Sequence, residues 1–222
     1  MTSADRSRHD TPTPRSVNGF IRWLASTEPP PNCANPYLRN GSRGNATRRH
    51  NLGLYLSKMA ELRPRLMLVG EAPGYRGLRS TGIPFTSTKL LATHPFYRAL
   101  DLRPLPDEKL RGEASATILQ GVLDKFGVRP VLWNAYPFHP HRPSQPLTNR
   151  KPTMAELQIG ARYLRWLIGH FAIEDVVAVG NSAETTLNKL NIPNTKVRHP
   201  AQSGATQFRE QMTAFLEARC AS

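Results

Sequence analysis

Cysteine is nearly absent: Cys33 and Cys220 lie far apart and form no CxxC pair, so neither a zinc site nor an iron–sulfur cluster can be built from them alone. Such sparse usage suits a reduced, cytoplasmic protein. No apolar run approaches the ~20 residues that a membrane span requires, and the polar start of the chain lacks the apolar core of a secretion signal. No internal repeat is visible. No Gly-x-Ser-x-Gly elbow occurs, which removes the main support for a small-molecule hydrolase of the α/β type. Acidic residues are scarce too: 16 stand against 30 Lys and Arg, for a net charge of +14 over 222 residues. Most of the bases are arginine. Its guanidinium pairs with phosphate through two points and stacks on flat rings, so the favoured partner is a polyanion such as nucleic acid.

Against this background one segment stands out. Leu66-Met67-Leu68-Val69 is an apolar run that stops at Gly70-Glu71-Ala72-Pro73-Gly74, a carboxylate held between glycines and a proline. It reads as a buried parallel strand ending in a functional loop. A second strand-like run ends at Asn134, and a third element ends at His199-Pro200, so three polar groups come from three strand ends.

Helices are expected around these strands. Residues 1–15 are polar with two prolines and read as a disordered lead-in, leaving 16–222 as a single domain. Val17, Phe20, Ile21 and Leu24 mark a short helix that stops at three prolines, and 32–45 reads as loop. Leu52, Tyr55, Leu56, Met59 and Leu62 mark a second helix, closed by Arg63-Pro64. Ser87 can cap a helix whose free N–H groups would face an anion. Helices over 118–126, 154–171, 183–190 and 205–218 alternate with strands over 131–134, 176–179 and 195–198. The alternation predicts a three-layer α/β/α sandwich around a mainly parallel four-stranded sheet. Residues 135–152 carry many prolines, which rule out regular structure, and basic and aromatic side chains suited to a nucleic-acid backbone.

In this order, on these elements, the motifs Gly70-Glu71-Ala72-Pro73-Gly74, Pro84-Phe85, Asn134, Asn149-Arg150 to Glu156, Val179-Gly180-Asn181-Ser182-Ala183 and His199-Pro200 resemble the uracil-DNA glycosylase superfamily. The likeness is strongest to its GEAPG-bearing, thermophile-type branch, without that branch's iron–sulfur cysteines. The resemblance implies a DNA repair enzyme that hydrolyses the N-glycosidic bond of uracil and leaves an abasic site. It further implies a monomer that is monofunctional, needs no metal or other cofactor, and is associated with the bacterial nucleoid. The rival implication is a binder of uracil or abasic DNA that protects or covalently traps the site.

The same resemblance distributes roles. Glu71 would stabilise the cationic sugar and orient water, and His199 would donate to uracil O2 as charge develops there. Asn134 would pair with uracil O4 and N3–H, and Phe85 would stack on the extruded base. Gly70, Ala72 and Gly74 would line the base pocket. Ala72 and Gly74 stand where the best-studied branch has Asp and Tyr, so Glu71 carries the ionic role alone and Tyr75 is the candidate for excluding thymine. Ser87, Arg142, Arg150, Arg198, Gln202 and Ser203 would face the DNA, with Gln202 filling the vacated stack.

Overall fold

The structure is a computed structural model and describes residues 13–74, 80–105 and 109–220. Helix α1 (Val17–Ser26) begins at Ser16, whose hydroxyl accepts from the Gly19 N–H, and buries Val17, Phe20 and Leu24. Residues 1–12 of the expected lead-in lie outside the described chain, but Pro14 is docked: its carbonyl accepts from Trp166 Nε1–H at 2.6 Å. A two-residue strand, β1 (Cys33–Ala34), precedes α2 (Asn45–Leu62). Helix α2 ends where Arg63 turns left-handed ahead of Pro64, and the chain passes straight into β2 (Leu66–Gly70).

Two short helices follow, α3 (Thr88–Thr93) and α4 (Pro95–Arg98), then α5 (Ala114–Lys125), β3 (Val131–Asn134) and β4 (His139–Pro140). Helix α6 (Met154–His170) opens on a capping box in which Thr153 and Glu156 satisfy each other's backbone N–H groups. The chain closes with β5 (Asp175–Val179), α7 (Asn181–Lys189), β6 (Thr195–Val197) and α8 (Ala205–Cys220).

The four-stranded sheet runs β3-β2-β5-β6, and each pairing in it is parallel. Helices cover it as a three-layer α/β/α sandwich. Strands β2 and β3 are buried at every position, as continuous apolar runs in a parallel sheet require. Strand β6 is an edge, with Thr195 and Lys196 exposed and Lys196 paired to Glu184. On one flank Phe20 stacks on Trp166 at 4.4 Å and leans on Trp133, tying α1 to α6 and β3. A buried Phe of this kind contributes about 1.5–3 kcal/mol.

Two expected loops are not structureless. Cys33 pairs with Pro140 and Ala34 with His139, so β1 and β4 form a small antiparallel ribbon. Proline fits because on a two-stranded ribbon its missing N–H can face away from the partner. The ribbon lies beside the loop that follows β2, where it matters for the site.

Candidate active site

All four parallel strands end at the same edge of the sheet, so the residues that follow them converge there. A pocket of about 500 Å³ opens at this edge. Gly70 to Gly74 line it after β2, Asn134 after β3, Val179 to Ala183 after β5, and Arg198, His199, Ala201 and Gln202 after β6.

Glu71 is held by its backbone. The β2–β3 ladder continues past the strands: Ala135 N–H donates to Gly70 O at 2.8 Å and Tyr136 N–H to Glu71 O at 2.9 Å. The buried His139, carried by the ribbon, donates from Nδ1 to Pro73 O at 2.9 Å and braces the turn of the loop. The carboxyl of Glu71 is half-buried, and loss of water pushes its pKa above the usual carboxylate value, against the pull of Lys151 and Lys189. The site therefore holds a charge that burial disfavours.

Gly70 explains how the base-side groups fit. A Cβ there would come within 2.5 Å of Asn134 Oδ1 and 2.9 Å of the Phe85 ring, so only glycine lets the amide and the ring close over the strand end. Phe85 itself sits at φ +53°, a left-handed conformation that costs a non-glycine residue about 1–3 kcal/mol and collects at functional sites. Asn134 is buried, and among the described residues nothing hydrogen-bonds to its side-chain amide. The amide lines the pocket, where water or a ligand can reach it.

His199 faces this group from β6. Its Nδ1 accepts from the Ala201 N–H at 3.1 Å, which places the ring proton of the neutral imidazole on Nε2. Burial and the adjacent Arg198 both lower its pKa, so the ring is neutral at pH 7. Gly180 makes room for it: φ is +95°, and a Cβ would lie 2.9 Å from His199 Cβ.

Of the residues expected from sequence, Gly70, Glu71, Ala72, Gly74, Phe85, Asn134, Arg198, His199 and Gln202 line the pocket. Tyr75 lies outside the described residues. Ser87 caps α3 by accepting from the Leu90 N–H, while Arg142 and Ser203 are exposed nearby without lining the pocket. Arg150, expected as a phosphate contact, turns its guanidinium inward: it donates to both oxygens of Glu156 and to the carbonyls of His141, Lys151 and Asn32. Those bonds take up its donors.

Three contributors were not anticipated. Lys151 and Lys189 are exposed and close enough to lower the Glu71 pKa, and Lys151 directly follows the arginine that was expected to serve. Glu113 lines the pocket from the N-cap of α5, without accepting a hydrogen bond from that helix. Its residue surface is open to solvent, yet surrounding atoms withdraw enough water from the carboxyl to raise its pKa. No motif marks it in the sequence.

A parallel sheet that presents a carboxylate, an amide and an imidazole from separate strand ends to one cleft defines an α/β protein with its site at the carboxyl edge. The chain belongs to the uracil DNA glycosylase superfamily, whose family profile matches residues 57–219. Its fold is similar to that of SMUG2 from Pedobacter heparinus, seen in a crystal structure of the wild-type protein. The two share 17% identity over 93% of this chain and 98% of that chain, with a TM-score of 0.67. No curated protein matches the chain in sequence. Membership of the family assigns a uracil-DNA-glycosylase-type function on DNA in general terms. Among the described residues no helix is long and apolar enough to cross a membrane.

Proposed function

We propose that the protein hydrolyses the N-glycosidic bond of uracil in DNA and releases free uracil, leaving an abasic site. As the C1′–N1 bond breaks, its electron pair leaves with the base as an anion; a water molecule adds its oxygen at C1′, and the proton it gives up is matched by the one that the departed base takes up. The sugar becomes cationic and the base anionic, so the groups that lower the barrier are those that favour each charge. Glu71 faces the sugar and orients the water. His199 donates from Nε2–H to uracil O2, Asn134 reads O4 and N3–H, and Phe85 stacks on the ring. Gly70, Ala72 and Gly74 border the base.

One observation carries this reading: a half-buried carboxylate and a neutral imidazole with its proton on Nε2 line one pocket, alongside an amide that bonds to no other described residue. Arg142, Arg198, Ser87, Gln202 and Ser203 meet the DNA, with Gln202 filling the space of the extruded nucleotide. The carboxylate meets the cationic sugar and the imidazole N–H meets the anionic base, so no metal or other cofactor is invoked. Among the described residues no lysine lines the pocket to form a Schiff base, Lys151 and Lys189 standing outside the lining, which supports a monofunctional enzyme. Against a covalent trap, the His139 ring is buried and its Nδ1–H is spent on Pro73 O. The protein acts as one domain over 16–222, as a monomer, on DNA of the bacterial nucleoid in the cytoplasm.

The test uses excess uracil-bearing DNA with little protein, followed by alkaline cleavage of abasic sites. Many turnovers are expected, with uracil release abolished in Glu71→Gln. A heat-stable adduct in stoichiometric yield, or tight binding without release, would instead establish the protective binder.

A further inference from the structure

From residue 29 to residue 60 the chain contains no aspartate or glutamate, yet it carries Arg39, Arg43, Arg48 and Arg49. Helix α2 runs antiparallel to the strand it feeds, which brings its N-terminus to the pocket edge of the sheet. Side-chain bonds confirm the placement. Tyr37 is fully buried and donates from its hydroxyl to Gly82 O at 3.0 Å; Asn51 donates to Thr81 O at 2.9 Å. Both acceptors lie in the segment leading to Phe85.

Arg48 is buried and bonds inward to Asn45 Oδ1, which anchors the loop. Arg39 and Arg43 are exposed, and Arg49 is held half-buried by the carbonyls of Tyr37 and Leu38. Asn51 also fixes the backbone of Arg103, another exposed arginine, and Leu105 packs on Gly44 beside Arg43. No ion pair among the described residues involves Arg39, Arg43, Arg49 or Arg103, and nearby Asp101 pairs with none of them. Among the described residues these guanidinium groups have no counter-ion, and like charges on one face favour an anion from outside.

We propose that Arg39, Arg43, Arg49 and Arg103 form a second phosphate-binding surface. It would engage the DNA strand on the Phe85 side of the flipped nucleotide, away from Arg198, which follows the sheet's β6 edge. The partner is nucleic acid rather than membrane because buried bonds to Thr81 O and Gly82 O fix α2 and the loop before it to the segment that enters the pocket at Pro84 and Phe85. The inference rests on the proposed function, but its test reads binding alone.

Binding is measured against salt for wild type, the triple variant Arg39→Gln/Arg43→Gln/Arg103→Gln and the matching Arg→Lys triple. The DNA is a duplex with an uncleavable abasic analogue, extended on one side of the lesion or on the other. The Gln triple should lose about 0.9 from the slope of log K against log salt for each arginine replaced, on only one of the two duplexes. The Lys triple should retain the slope. An unchanged slope in a folded Gln triple, equal losses on both duplexes, or lost binding to phosphatidylserine vesicles with DNA binding intact would each overturn the proposal. Wild type that binds DNA and releases no uracil would refute the proposed function alone; an active enzyme with an unaltered Gln triple would refute this surface alone.

Discussion

Arg150 and Glu156 meet as a two-point fork, with Nη1 to Oε2 at 2.8 Å and Nη2 to Oε1 at 2.7 Å. The same carboxylate accepts from the Cys33 thiol at 3.1 Å and from the Thr153 N–H at 2.7 Å. One buried acid therefore ties the β1–β4 ribbon, the basic loop and the start of α6 together. The ribbon carries His139, which braces the Glu71 loop, so the fork supports the site from behind.

Breaking that fork should cost stability before it costs DNA contact. Arg150→Ala leaves the Glu156 carboxylate buried without its cation, a change that costs about 3–5 kcal/mol in buried pairs. Burial raises the Glu156 pKa, but Arg150 and Thr153 outweigh it and hold the value at about 2. The folded pKa is thus below the unfolded one. Its stabilisation is complete above the ordinary carboxylate range and is lost as pH falls towards about 2. Urea titrations from pH 7 downwards should show that loss in wild type and a much smaller one in Arg150→Ala. Normal stability with weakened DNA binding in the variant would return Arg150 to the phosphate face.

Gly70→Ala should disable the base pocket while sparing the strand. The added methyl meets Asn134 Oδ1 and the Phe85 ring, both within 3 Å of the Cβ position, so one or both must move. A displacement of about 1 Å at such a site can cost 10²-fold in rate. Single-turnover uracil release should fall by about that factor, with binding to undamaged DNA unchanged. An active Gly70→Ala enzyme would show that the amide and the ring do not need this approach.

The strands and their ends were legible because a parallel sheet demands continuous apolar runs, and Leu66–Gly70 and Val131–Asn134 have no other use for them. Glu71 and Asn134 stood out for the same reason: each is the polar residue at which such a run stops. The ribbon was hidden because Pro140 argues against a strand, and only the fold shows Cys33 across from it. Arg150 resembled every other arginine of the basic loop. Its commitment to Glu156 depends on how the chain turns into α6, which charge and spacing do not encode. Lys151 and Lys189, far apart in sequence, likewise reveal their common neighbour Glu71 only in three dimensions.

The acid limb of the rate profile should report Glu71 and His199 together. Burial raises the Glu71 pKa above its usual 4.5, while burial and Arg198 lower the His199 pKa below its usual 6.5. The active form needs Glu71 ionised and His199 neutral, so activity is present at neutral pH and falls as pH drops through both values. In His199→Gln a single, shallower limb should remain. Glu71 also works against stability, because its folded pKa exceeds the unfolded one and folding therefore weakens as pH rises through that value. Glu71→Gln should be inactive yet at least as stable as wild type at pH 7. A lower melting temperature for Glu71→Gln would mean that the carboxylate serves the fold.

Glu113 separates a base-reading carboxylate from a bystander. It occupies the N-cap of α5 but gives that helix no side-chain hydrogen bond, and no ion pair among the described residues involves it. An acid beside a DNA-binding pocket repels phosphate, so by itself it weakens binding to any sequence. The cost is offset if the carboxylate accepts a hydrogen bond from the bound nucleotide, worth about 1.5–3 kcal/mol for a charged acceptor. Glu113→Gln keeps the size and removes the charge; stability should stay within about 0.5 kcal/mol, as for a surface change. Affinity for undamaged DNA should hold or tighten, while kcat/KM for uracil release drops about 10- to 100-fold. Tighter binding with full activity would identify Glu113 as a repulsive rim charge, and loss of both would place it among the groups that hold the DNA.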